Sequence, residues 1–96
     1  MYKIEFYVPE THLDELKGIM FAAGAGKIGS CDSCCWQIKG FSQYRFIEEG
    51  SEAPEQDEEW KVEMLCADAS IQSAIDALKA NHPYEEPVYQ YWEVKA

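Results

Sequence analysis

His82-Pro83-Tyr84-Glu85-Glu86-Pro87 decides how this chain is read, because it closes one helix and opens the last strand. Upstream of it, Ile71, Ile75 and Leu78 recur at helical spacing, and Asp68 and Ser70 are both candidate N-caps. Lys79 and His82 fall in the last turn, where positive charge suits the helix dipole. Pro83 cannot continue the helix and biases His82 away from helical dihedrals. Downstream, Val88 to Val94 predicts a strand with apolar or aromatic residues on both faces.

The rest of the chain supplies the matching half. Tyr2, Ile4, Phe6 and Val8 alternate with Lys3, Glu5 and Tyr7, the pattern of a half-buried strand that Pro9 ends. Thr11, with Asp14 three residues later, predicts a shortened capping box for a first helix. Its stripe is Leu13, Leu16, Met20 and Ala23, and Gly24 and Gly26 stop it. Cys34 to Ile47 reads as extended, with Cys34, Trp36 and Ile38 on one face and a bulge or kink expected at Gly40. Trp60 to Cys66 alternates again. Seven acids (Glu48, Glu49, Glu52, Glu55, Asp57, Glu58, Glu59) crowd the segment between the two, with no Lys or Arg among them. They predict a solvated hairpin connection over 48–59, or else a docking site for a basic partner or hard cations. The run Ser51 to Asp57 lacks the spacing and turn glycine of a calcium loop.

The order is therefore β-α-β-β-α-β across residues 1–96, a single ferredoxin-like α+β domain. Right-handed crossovers place both helices on one face of a four-stranded antiparallel sheet. The other face has no helix to cover it, and Tyr7, Tyr89 and Tyr91 are expected there, depending on register. Exposed aromatic surface on a small protein predicts a partner, and a closed homo-oligomer is the economical form.

Composition narrows the function. The chain has 96 residues, 47% hydrophobic and 14% aromatic, which is a folding composition. No apolar run approaches the roughly 20 residues of a membrane span. Glu5 interrupts the place where a signal peptide is apolar, so a cytoplasmic location is expected. A net charge of −10 argues against nucleic acid and against an anionic membrane surface.

Few residues carry chemistry. Gly24-Ala25-Gly26-Lys27-Ile28-Gly29 follows a helix, whereas a nucleotide-binding glycine run follows a strand and opens a helix. Helix termination explains it, with backbone amides at Gly26 and Gly29 as candidates for cradling a small anion. Cys31-Asp32-Ser33-Cys34-Cys35 has the two-residue spacing of a metal knuckle. Cys66 and His82 are the available further ligands, and Cys31, Cys34, Cys35 and His82 are the candidate set for zinc or copper. The first reading of these thiols is as reduced structural cysteines, with Cys34 packing as a small hydrophobe beside Trp36 and Ile38, ahead of metal binding and of a redox pair. His82 either turns the chain and caps carbonyls, or joins Tyr84, Glu85 and Glu86 in a polar ligand site at an oligomer interface. No nucleophile elbow, zinc-protease motif or catalytic-triad order is present.

Phe21-Ala22-Ala23-Gly24-Ala25-Gly26-Lys27-Ile28-Gly29, followed by Cys34-Cys35-Trp36, resembles the YqfO-like family of NGG-one-interacting factor three. So do Tyr7-Val8-Pro9-Glu10 and His82 to Pro87. The resemblance covers nearly the whole chain but one part of the long members, the domain inserted in their middle, here expected to stand alone. That domain is similar in fold to the CutA divalent-ion-tolerance proteins and the PII signalling proteins, which implies a homotrimer. It also implies that the two-metal site of the long members lies in a flanking domain, so the GTP cyclohydrolase label does not carry over. Where family members often read Gly-Asn-Tyr, this chain has Gly29-Ser30-Cys31. The expected function is a non-enzymatic, homotrimeric binding or regulatory module. A soft- or divalent-metal-binding protein is the second reading and a small cyclohydrolase-type hydrolase the third.

Overall fold

The computed structural model describes residues 1–48, 50 and 53–96. Glu49, Ser51 and Glu52 lie outside the described residues, and with them part of the acidic run. The elements follow in the expected order: β1 (Tyr2–Val8), α1 (Leu13–Ala22), β2 (Trp36–Tyr44), β3 (Glu55–Cys66), α2 (Ile71–Asn81) and β4 (Tyr89–Glu93). The sheet runs β2-β3-β1-β4, with every neighbouring pair antiparallel.

One face of the sheet is packed. Ile4, Phe6 and Val8 of β1 and Val62, Met64 and Cys66 of β3 meet Leu13, Leu16 and Met20 of α1 and Ala74, Ile75 and Leu78 of α2 in one buried cluster. Each fully buried large aliphatic or Phe side chain there contributes about 1.5–3 kcal/mol. The period-2 pattern of β1 and the period-3.6 stripes of both helices are therefore the residues that hold the layers together.

The helix starts differ from the sequence expectation. A 3₁₀ turn, Glu10–His12, precedes α1, closed by the His12 N–H donating to the Pro9 carbonyl at 3.0 Å. That turn carries Thr11 away from the cap position, where its hydroxyl lies 2.8 Å from His12 Nδ1 instead. His12 stands at the N-cap of α1 and Ser70 at that of α2, neither with a side-chain cap bond. Asp68 pairs with the N-terminal ammonium rather than capping α2.

The third strand begins at Glu55, five residues earlier than the alternation from Trp60 suggests. Gly40 pairs with Glu59 inside an unbroken register, so there is no bulge. Glu55, Asp57, Glu58 and Glu59 are strand residues, not a solvated connection. The reason is geometric. The last β1 pair is Val8 with Trp60, while β2 and β3 continue pairing to Tyr44 with Glu55. Beyond β1 they form a two-stranded arm in which Glu55 to Glu58 are exposed, so charge costs little there and no apolar alternation is required, while Glu59, next to the last β1 pair, is buried. Cross-strand polar contacts hold the arm: Tyr44 donates to Asp57 at 2.9 Å, Gln56 to Gln43 at 3.0 Å, and Lys39 pairs with Glu58 at 3.6 Å. The arm makes the molecule 49 Å long against 24 and 20 Å across.

Register also corrects the open face. Tyr89 stands opposite Phe6 and Tyr91 opposite Ile4, so both lie on the helix-covered side, stacked on each other with centroids 6.5 Å apart. Tyr7 does lie on the open face, opposite Lys61. Its companions are Trp36, Ile38 and Trp92, opposite Glu63, Lys61 and Lys3 respectively. An ion-pair network crosses the middle of this face: Lys3 with Glu63, and Lys61 with Glu5 at 3.4 Å and with Glu63 at 3.6 Å. Lys3 holds the Glu63 carboxyl below its ordinary range.

Candidate functional site

The sequence-derived candidates fall at two ends of the open face. At one end, the loop from Gly24 to Cys35 folds over the start of β2. Gly26, at φ +80, donates its N–H to the Leu65 carbonyl and accepts from the Cys34 N–H, each at 2.8 Å. An added Cβ would come within 2.8 Å of the Phe21 ring and 2.9 Å of the Cys34 carbonyl oxygen. Close approach and helix exit thus account for Gly26, and its peptide groups are already spent. Ile28 and Cys31 exchange main-chain bonds of 2.9 Å around a tight turn in which Gly29 takes φ +57.

Cys31 is exposed, and the Cys34 thiol points at the Asp32 carbonyl 3.5 Å away. Cys35, rather than Cys34, packs against the core, because β2 starts only at Trp36 and Cys34 is drawn off to pair with Gly26. Cys66 is buried on the helix side, where burial pushes its thiol up. Lys3, Ile28, Cys34, Cys35, Trp36 and Glu63 contribute to the lining of a hollow of about 570 Å³ here.

His82 stands at the other end. Its ring is buried, its Nδ1 receives the Tyr84 N–H at 3.0 Å, and its Nε2 lies 2.6 Å from the Tyr7 carbonyl oxygen. Since an N–H can only donate, Nδ1 is the acceptor and Nε2 carries the proton. Both nitrogens are committed, and the carbonyl reached belongs to β1 rather than to the helix end. Gly26 bonds to Leu65, which faces Lys3, four residues before Tyr7 along β1. That is ~13 Å of strand. The cysteine loop and His82 are therefore not brought together within one chain. Among the described residues, no group of three or more His, Cys, Asp or Glu side chains converges to hold a metal ion.

What His82 does build is a wall. Its bond to Tyr7 fixes the 82–87 loop over the end of β1, and its ring packs on Tyr84 with centroids 5.0 Å apart. Between this loop and the β2–β3 arm lies a groove of about 850 Å³. Tyr84, Glu85, Glu86 and Val88 line one side, Tyr44 and Phe46 the other, and Tyr7, Asp57, Glu59 and Gln90 contribute to the floor. Tyr44 and Phe46 meet edge-to-face at 5.4 Å. The bond to Asp57 pushes the Tyr44 phenol up to about 12. Burial, then the charge of Glu59 and the hydrogen bond to it, push the Tyr84 phenol up.

Sequence reasoning reached Tyr84, Glu85 and Glu86 but missed the facing half of this groove. The acidic run places Asp57 and Glu59 in the expected hairpin connection, and nothing local in the sequence says that residues near 44 and 57 face residues near 84.

Comparison with solved structures places this architecture in a class. CutA from Xylella fastidiosa superposes with a TM-score of 0.76 at 20% identity, covering 99% of this chain and 84% of that one. The chain is a ferredoxin-like domain of the CutA type. No family model matches it. Its relatives narrow the class. A Bacillus cereus protein related to NIF3 superposes with a TM-score of 0.89 at 29% identity, covering 99% of this chain but 26% of that one. The "GTP cyclohydrolase 1 type 2 homolog" of Halalkalibacterium halodurans is 33% identical, covering 96% of this chain and 26% of that protein. Over nearly its whole length the chain resembles the YqfO-like part of NIF3 (NGG-one-interacting factor three) proteins, and it spans about a quarter of the length of the curated relatives it matches. Among the described residues, no helix is long and apolar enough to cross a membrane.

Proposed function

We propose that this domain is a non-enzymatic binding or regulatory module that works as a homo-oligomer, with three copies in a closed ring. The observation that carries the reading is the apolar surface left on β2 and the arm. Trp36 is 57% exposed with Ile38 half exposed beside it on the open face, and Phe41, on the other face of the same strand, is 71% exposed. β2 is an edge strand of nine residues, so its outer main-chain groups are also unpaired within the sheet. A long, apolar edge is an aggregation hazard unless something covers it. A second copy of the chain covers it without a separate partner, and a closed ring leaves no copy with its edge open. The ion pairs of Lys3, Lys61, Glu5 and Glu63 supply a polar centre that fixes register between copies rather than adding much affinity.

The cyclohydrolase name belongs to proteins about four times as long. We place any such chemistry in the parts of those proteins that this chain does not cover. The test is sedimentation of the purified chain, with a GTP turnover assay on the same sample. A trimer that leaves GTP intact is expected. A monomer at micromolar concentration, or product formed from GTP by this chain, overturns the reading.

A further inference from the structure

The groove between the arm and the 82–87 loop holds a buried negative charge with no counter-charge. Glu59 is 9% exposed, and its charge is close enough to Tyr84 to help push that phenol up. Among the described residues, no Lys, Arg or His nitrogen lies within 4.0 Å of it: Lys61 is engaged by Glu5 and Glu63, and Lys39 by Glu10 and Glu58. None of the residues lining the groove is basic. Buried carboxylates are ordinarily paired with a cation, because desolvation of the charge is costly. Three further acids, Asp57, Glu85 and Glu86, share the groove, and Asp57 is oriented by the Tyr44 hydroxyl. Around these charges the walls are aromatic: Tyr7, Tyr44, Phe46 and Tyr84. Aromatic faces attract cations and bury flat apolar bodies.

The geometry points to a site for a small organic cation, one with an amidinium, guanidinium or alkylammonium head on an aryl or alkyl body. The head fits against Glu59 and Asp57, where it completes the missing charge pair. The body lies between Phe46 and Tyr84. A volume of about 850 Å³ is that of a small-molecule pocket, which favours a free ligand over a folded partner's surface. His82 is a positioning residue: it touches no ligand but holds the Tyr84 wall through its bonds to Tyr7 and Tyr84. This assignment rests on the binding-module reading and names the ligand class of that module.

Three probes of one shape and different charge test it on the full chain in its native assembly: benzamidine, benzamide and benzoate, followed by calorimetry and by backbone-amide chemical shifts. Benzamidine is expected to bind at least about tenfold more tightly than benzamide, and benzoate not at all, with shifts confined to residues near 44–46, 57–59 and 83–88. Glu59→Gln is expected to weaken benzamidine about tenfold. Asp57→Asn, at the more exposed position, weakens it by a smaller factor and serves if Glu59→Gln does not fold. Asp76→Asn, on the far side of α2, leaves binding unchanged. Benzamide binding as well as benzamidine, shifts elsewhere on the surface, no binding of benzamidine at millimolar concentration, or Asp57→Asn and Glu59→Gln both binding like wild type each overturns the assignment. Sedimentation of the same samples separates the two readings. A trimer that ignores benzamidine refutes only the ligand, and a monomer that binds it refutes only the assembly.

Discussion

The buried imidazole of His82 donates to the main-chain carbonyl of Tyr7 across 2.6 Å, tying the exit of α2 to the end of β1. The bond joins residues 75 positions apart and is made by a side chain that also accepts from Tyr84 two residues on. One ring thus sets where the last strand enters the sheet and where the Tyr84 wall stands.

Replacing His82 by Ala is expected to cost about 2–4 kcal/mol, because the Tyr7 carbonyl and the Tyr84 N–H lose their part-buried partner together and a cavity opens where the ring was. Urea unfolding at fixed protein concentration measures it. A loss below about 0.5 kcal/mol contradicts the role given to this residue.

Glycine substitutions separate packing from backbone conformation. Gly26→Ala meets the Phe21 ring and the Cys34 carbonyl at φ +80, and is expected to cost at least about 2 kcal/mol. Gly29→Ala meets nothing within 4 Å at φ +57, and is expected to cost only the left-handed penalty of about 1 kcal/mol. Equal losses in thermal or urea unfolding contradict the account of the loop.

The helices and β1 were legible in the sequence because their apolar residues repeat with the period of the element and all face one core. Three features were not. The arm could not be read because Glu55 to Glu58 are exposed on a ribbon wet on both sides, so no alternation marks it as strand. The faces of β4 could not be assigned because both carry aromatics, and only the pairing of Tyr89 with Phe6 decides which side is inward. The exchange of roles between Cys34 and Cys35 follows from Gly26 inserting its peptide between Leu65 and Cys34, a contact with no local signal. The groove fails for the same reason: its two walls are some forty residues apart.

Thiol reactivity follows burial. Cys31 is exposed and is expected to react first with a disulfide reagent, while Cys66, buried and with its thiol pushed up, reacts only on unfolding. Mass mapping of the modified sites checks the order. Modification of Cys66 in the native state contradicts the placement of β3.

Tyr44 offers a titration. Its phenol is raised to about 12 by Asp57, so its proton is retained well beyond that of an ordinary tyrosine. A group whose folded value is raised stabilises the fold fully below its unfolded value, here 10.0, and loses that contribution as pH rises through the folded one. Ultraviolet titration of the tyrosines is expected to show, beside the raised Tyr2 and Tyr84, a phenol near 12 that moves back toward 10.0 in Asp57→Asn. An unchanged curve contradicts the arm geometry.

The central claim is that the exposed edge and open face are covered by further copies of this chain. Sedimentation equilibrium at micromolar concentration tests it most directly. The account requires a species of about three times the 11.0 kDa of one chain, weakened by Phe41→Ser and Trp36→Ser, which leave the core untouched. A wild-type chain sedimenting at 11.0 kDa contradicts it.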